Sequence, residues 1–436
     1  MCYSIPGKVI AVKAGRAIID YFGEKREAHT DTEGVEVGDF VLAQGGVVVE
    51  TVPDGAAGEI LSSWQETFER LKARDLELSN VKPPKEGVSE DIAAIMERVL
   101  EGETLTKDEM LRVLQTENSS DTQLVTFTAN LIRSKEQGNS ACVHGIIEFS
   151  NNCSLDCAYC GIGKSNIDLT RYRLSTEEII KSAEQAVKTK GFKALVLQSG
   201  EDAYYTTDKL KEIIASIKKR VKVMIALSIG DRGIDDYKAL YEAGARGALM
   251  RFETSNEGLY SALHSSPLKE RLDTINALKD MGYLVMTGSL FGLPGQSDED
   301  IVDDMLLTKE IAPEMFSSGP FIPHPSTELG KSGMEALTLN KALRILALTR
   351  LIDKKGSILI TTAFEKLFGV EGTRRALLSG GNSMMVNLTP YPYSALYSIY
   401  PGKGSASELG KRIEFVITLL MELGRSPSEI SVRGAE

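Results

Sequence analysis

Three cysteines fall within eight residues, Cys153-Ser-Leu-Asp-Cys157-Ala-Tyr159-Cys160, just after the apolar run Val143-His-Gly-Ile-Ile-Glu-Phe-Ser150. Spacings of four and three let these thiolates close around three irons of a cubane cluster, and no cysteine follows Cys160. One iron is then left open to chelate a small ligand, and hydrogen bonding and burial around the cluster set its potential. A structural zinc site explains the triplet less well, because such sites take four protein ligands in paired clusters. With only five cysteines in the chain there is no disulfide framework, and the triplet reads as an intracellular metal site.

The elements that must hold such a loop follow a regular pattern from residue 143 onward. Apolar runs at 143–150, 194–200, 221–230, 247–254, 284–292, 314–321, 357–363 and 383–388 alternate with amphipathic segments, as in parallel βα units. Eight strands predict an α/β fold, a closed (β/α)8 barrel. Helix starts are signalled by Ser175-Thr-Glu-Glu178 and Ser297-Asp-Glu-Asp300, and helix ends by Gly191, Gly244, Gly282 and Gly356.

Barrels of this kind carry their chemistry at the C-terminal ends of the strands. Strand two ends Gln198-Ser199-Gly200-Glu201-Asp202; the glycine admits close backbone approach and Glu201 suits a ligand ammonium. Strand three ends at Ser228, and strand four at Arg251-Phe-Glu253. An arginine and a carboxylate two apart on one strand share a face, so both are expected inside, as an ion pair or as ligand groups. Strand five closes in glycines and proline, strand seven in Thr361-Thr362-Ala363, and strand eight in Asn387-Leu-Thr-Pro-Tyr-Pro-Tyr393.

The first 62 residues form a separate unit. Short strand-like runs at 9–12, 17–21, 40–43 and 47–52, parted by Gly and Asp, predict a small OB-like β-barrel. A helix and a proline-bearing linker follow over 63–90. Residues 91–436 make the large barrel, whose leading helices, patterned over 90–136, are expected to cap its bottom. A net charge of -11 argues against nucleic acid or an anionic membrane as partner. No run of eighteen apolar residues and no signal-peptide pattern occur, so a cytoplasmic location is expected.

The C-x3-C-x2-C triplet with an aromatic before its last cysteine resembles the radical S-adenosylmethionine superfamily. The resemblance implies a 4Fe-4S cluster held by Cys153, Cys157 and Cys160, reductive cleavage of S-adenosylmethionine to a 5′-deoxyadenosyl radical, and an anaerobic host. Over roughly residue 90 to the C-terminus the chain is similar to the HydE maturases of FeFe-hydrogenase, relatives of biotin synthase and methylornithine synthase. The stretches that carry this are Ile146-Ile-Glu-Phe-Ser-Asn-Asn-Cys153, Gln198-Ser-Gly-Glu-Asp, Arg251-Phe-Glu-Thr, Gly292-Leu-Pro-Gly-Gln, Gly319-Pro-Phe-Ile-Pro-His-Pro, Thr361-Thr-Ala and Leu396-Tyr-Ser-Ile-Tyr-Pro-Gly-Lys. It implies cofactor contacts at Tyr159, Gly200, Glu201, Ser228, Glu253 and Arg271, and a substrate site at Gln198, Ser199, Arg251, Thr361, Thr362 and Tyr393. Two departures stand out: the accessory cluster of some members has no cysteines here, and Gly247, beside Arg246, replaces a basic residue.

Met1-Cys2-Tyr-Ser-Ile-Pro-Gly-Lys-Val, Val37-Gly-Asp-Phe-Val-Leu and Val47-Val-Val-Glu resemble the HypC/HupF hydrogenase-assembly chaperones. That family's metal-handling cysteine carries over to Cys2, which offers a thiolate and, once Met1 is removed, an α-amine on one residue. Together the two resemblances imply a small sulfur-containing or organometallic iron substrate, an electron donor of ferredoxin or flavodoxin type, and other metallocofactor-assembly proteins as partners. An amino-acid mutase and a metal-centre scaffold without turnover are the rival readings. Cys142 and His144 read as core residues, and Gly380-Gly-Asn-Ser383 as a turn rather than a phosphate cradle.

Overall fold

A computed structural model describes residues 4–30, 34–83, 86–331, 337–401 and 408–429, the last without the side chains of 408–410. Cys2 lies outside the described residues. Strands β1 (Gly7–Lys13), β2 (Arg16–Tyr21), β3 (Glu24–His29), β4 (Phe40–Gln44) and β5 (Val47–Val52) close a small barrel in the order β1-β2-β3-β5-β4. Four of these follow the apolar runs in the sequence. The fifth, β3, was hidden because Glu-Lys-Arg-Glu-Ala-His is polar; its Arg26 is buried by pairing with Glu24 and donating to Ser140 Oγ at 2.7 Å and Gln137 O at 2.8 Å.

The large barrel is built from β6 (Cys142–Ser150), β7 (Ala194–Ser199), β8 (Met224–Ser228), β9 (Gly247–Leu249), β10 (Leu284–Thr287), β12 (Met315–Phe316), β14 (Ser357–Ile360) and β15 (Ser383–Asn387). All eight pair in parallel, and β15 returns beside β6 to close the ring. Two of the expected strands are shorter and broken. A small separate sheet pairs β11 (Leu290–Phe291) with β13 (Gly319–Pro320) beyond the ends of β10 and β12.

Helix starts follow the local chemistry. Ser175 with Glu178 and Ser297 with Asp300 form complete capping boxes, each side chain satisfying the other's backbone N–H. Gly191, Gly244 and Gly282 turn the chain at φ of 76°, 112° and 93° just past their helices. Gly356 does not: the helix Leu339–Ile352 is capped at Asp353, whose carboxylate accepts the Gly356 N–H at 2.7 Å.

The leading helices Glu90–Glu101, Lys107–Gln115 and Ser119–Gln137 do not close the bottom of the barrel. They pack on its flank against the helices Leu339–Ile352 and Asp298–Ile311. The bottom is closed instead by the small barrel, whose Gly45–Gly46 turn joins β4 to β5 at φ of 67° and 85°. Val47 and Val49 join Ala194, Met224, Leu284, Met286, Met315 and Met385 in one apolar cluster inside the large barrel. Gln44 donates to Val143 O at 3.3 Å and accepts the Lys193 N–H at 2.7 Å, while the Gly46 N–H donates to Glu429 Oε2 at 3.2 Å. A Cβ on Gly45 would stand 2.5 Å from Met224 Cε and meet a left-handed φ of 67°, so a side chain there displaces the methionine and strains the turn.

Candidate active site

At the opposite end, the C-terminal mouths of the strands surround a cavity of about 800 Å³, within the usual size of cofactor and substrate pockets. Cys153, Cys157 and Cys160 line it from the loop after β6, together with Tyr159. Burial pushes all three thiols up, Cys160 to about 12. Thiols so placed give up their protons to coordinated metal, whose charge outweighs the cost of burial. Gly200 is required for this loop to sit where it does: a Cβ would lie 2.3 Å from Asn152 O and 2.7 Å from Cys153 Cβ. The glycine therefore serves the approach of the cysteine loop to β7.

Glu201 lines the cavity with its Oε1 accepting the Asp231 N–H at 2.7 Å, and burial raises its carboxyl. Ser228 stands beside it at the end of β8. Arg251 and Glu253 both face the cavity, but they lie past the end of β9, which stops at Leu249. What joins them is a turn: Glu253 has φ of 66°, and its Oε2 stands 3.3 Å from Arg251 Nε. The loop is held from behind by Asp304, which accepts from Ser255 Oγ at 2.7 Å and Gln296 Nε2 at 3.0 Å. Tyr159 donates to Glu253 Oε1 at 2.9 Å. Arg271, on the helix Leu268–Asp280, lines the same space.

Gln198, Ser199, Thr361 and Thr362 also line the cavity. Thr361 follows β14 as the cap of the helix Thr362–Leu377, and Thr362 Oγ1 accepts from Tyr400 Oη at 2.7 Å. Tyr393 is elsewhere. It donates to Glu178 Oε1 at 3.2 Å and stacks near Tyr172, so the loop after β15 turns it away from the cavity. Arg246 likewise stays at the start of β9, donating to the carbonyls of Tyr241 and Ala245.

Several lining residues were not singled out in the sequence. His264 places Nδ1 3.4 Å from Cys157 Sγ and Nε2 3.4 Å from Tyr159 Oη, and burial lowers its pKa to about 4, which keeps the ring neutral. Glu148 on β6 is a buried carboxylate receiving Asn387 Nδ2 at 2.8 Å. Tyr397, Tyr400, Lys366, Lys411 and Arg412 also line the cavity. The alternation of β6 placed Glu148 inward with Ile146; nothing local marked His264.

The Radical SAM superfamily model matches residues 147–308, and the HupF/HypC family model matches residues 1–64. The [FeFe] hydrogenase maturase subunit HydE of Thermotoga maritima is 39% identical over 331 residues, covering 75% of this chain and 93% of its own. The 3-methylornithine synthase of Methanosarcina acetivorans is 29% identical over 350 residues, 79% of this chain and 96% of that one. The crystal structure of methylornithine synthase superposes with a TM-score of 0.65 at 24% identity, over 74% of this chain and 96% of that one, which bears on the fold. With its cysteine loop, its eight-stranded barrel and this relationship, the chain is a radical SAM enzyme of the HydE-like family carrying a HupF/HypC domain at its N-terminus.

Proposed function

We propose that this enzyme acts in the maturation of a hydrogenase-type metallocofactor, on a small sulfur-containing or organometallic iron substrate held in the cavity at the barrel mouth. The observation that carries the reading is the union, in one chain and across one packed interface, of a HydE-like barrel with a HupF/HypC domain. Family membership implies a 4Fe-4S cluster and S-adenosylmethionine. The residues present fit both. Three thiols converge on the cavity, the Arg251–Glu253 pair and Arg271 line it, and among the described residues Ser317 Oγ is buried along it without a hydrogen-bond partner, as suits a polar, zwitterionic cofactor.

In this reading Cys153, Cys157 and Cys160 would hold the cluster, which would supply the electron for reductive cleavage of S-adenosylmethionine. Glu201, Ser228, Glu253 and Arg271, with Tyr159 behind Glu253, position the cofactor, and Gly200 keeps the cysteine loop close to β7. Arg251, Gln198, Ser199, Thr361 and Thr362 form a polar patch for an anionic substrate group, while apolar neighbours exclude water from the radical. A one-electron donor of ferredoxin or flavodoxin type and other assembly proteins complete the set of partners. Cys2 is assigned to metal handling by the small domain.

The test is anaerobic reconstitution with iron and sulfide, followed by dithionite and S-adenosylmethionine. 5′-Deoxyadenosine is followed by chromatography, with a cysteine-ligated iron carbonyl–cyanide complex or free amino acids added separately. Stimulation by the iron complex supports the proposal. Stimulation by an amino acid alone replaces it with a mutase, and no cleavage from an intact, reducible cluster replaces it with a scaffold.

A further inference from the structure

Beside the middle cysteine of the cluster loop, the Ala158 N–H donates to Leu263 O at 3.0 Å. Leu263 is the last residue of the short helix Glu257–Leu263, so this backbone bond delivers the next residue, His264, to Cys157. The His264 N–H closes the helix on Tyr260 O at 2.9 Å. Its ring is held by two tyrosines: Tyr260 stacks on it with centroids 4.8 Å apart and planes 24° off parallel, and Tyr159 meets it edge-on at 5.5 Å.

An imidazole fixed in this way presents one nitrogen to the cysteine. Nδ1 lies 3.4 Å from Cys157 Sγ, and Nε2 lies 3.4 Å from Tyr159 Oη. Nitrogen-to-oxygen hydrogen bonds run to about 3.2 Å, and the larger radius of sulfur makes 3.4 Å the equivalent contact. A thiolate bound to iron has only lone pairs to offer, so a neutral ring at this distance turns its one N–H toward it. The phenol at Nε2 has one proton and two acceptors within reach, that nitrogen and Glu253 Oε1 at 2.9 Å. Cys153 Sγ accepts from the Leu155 N–H at 3.4 Å, which is backbone; at Cys157 the donor is a side chain and can be exchanged.

Hydrogen bonds to cluster sulfurs draw electron density from them and favour the reduced, more negative state. We propose that His264 is a positioning residue for the reductive step: through Nδ1–H it holds Cys157 Sγ and makes the cluster easier to reduce. This rests on the cluster proposed at Cys153, Cys157 and Cys160. No electron passes through the ring, and the one-electron reductant remains the external donor.

The full-length chain is reconstituted anaerobically with iron and sulfide, without S-adenosylmethionine. The cluster's midpoint is then measured by titration with titanium(III) citrate against mediator dyes, the reduced form being counted by electron paramagnetic resonance. His264→Phe keeps a ring on Tyr260 and removes the donor. At the parent's midpoint its ratio of reduced to oxidised cluster should be about tenfold lower, a fall of about 59 mV for one electron. His264→Asn, whose amide carries an N–H close to the place of Nδ1, should restore the parent value. His264→Leu serves if the phenylalanine variant takes up less iron, and a cluster lost from both but kept in His264→Asn also supports the proposal. A parent midpoint in His264→Phe or His264→Leu overturns it, as does a fall in His264→Asn as large as in His264→Phe. A parent chain that takes up no cluster removes the proposed cofactor site itself, and its iron content shows this before any potential is read.

Discussion

The two ends of the large barrel are built on opposite terms. The mouth is wide and carries polar groups: three thiols, an Arg251–Glu253 pair and, among the described residues, buried polar atoms without a hydrogen-bond partner. The floor is closed mainly by apolar packing, its methionines against Val47 and Val49 of another domain. The difference teaches where each kind of residue is sustained: thiols and charged groups gather where a ligand will meet them, and adaptable thioethers suit an irregular joint between two separately folded units. Barrels commonly divide activity and stability between their ends in this way, but here the stabilising end is occupied by a second family's domain.

Substitutions at the two ends should separate cleanly. Cys157→Ala is expected to abolish 5′-deoxyadenosine formation, measured by chromatography after anaerobic reconstitution, while leaving the thermal midpoint of the apoprotein nearly unchanged. Retained cleavage would remove the cluster from the mouth. Gly45→Val forces a branched side chain into the Met224 contact at a left-handed φ, costing about 3 kcal/mol. Its denaturant midpoint should fall, yet the iron content of the folded fraction should stay at the parent value; a selective loss of iron would show the ends to be coupled.

Tyr159→Phe removes the 2.9 Å bond to Glu253. A loss of about 1 kcal/mol predicts a roughly fivefold rise in the S-adenosylmethionine concentration needed for half-maximal cleavage. An unchanged value would mean that Glu253 is held by Arg251 alone. A further test concerns Asp304, whose burial raises its pKa to about 7. A carboxyl raised in the folded state binds its proton more tightly there. Its contribution is complete below the ordinary Asp value near 4 and is lost as pH climbs to 7. Between pH 5 and 8 the parent should therefore lose stability relative to Asp304→Asn in denaturant titrations. A relative gain would reverse the assignment.

Much of the mouth was legible because its chemistry is local. Three cysteines within one loop, and polar residues ending apolar strands, need only the barrel pattern to bring them together. His264 was not legible, since its place beside Cys157 depends on the path of a loop more than a hundred residues away. Tyr393 failed for the same reason in reverse: its loop follows a barrel strand, but it docks on the helix Thr176–Lys188. The pairing of Arg251 with Glu253 was anticipated on a strand and is achieved by a turn. The floor was the least legible region, because a Gly-Gly between two short strands reads as an ordinary hairpin until the surface it enters is known.

The Gly45–Gly46 turn also sets an order of events on the ribosome. Its bond to Glu429 joins residues 383 positions apart, and Ile5 N–H similarly reaches Pro427 O. The small barrel is synthesised first, but the surface that receives its valines is assembled only when strands from Cys142 to Asn387 have closed. Until then those valines have no surface to enter, so a stretch 383 positions downstream locks the turn into place.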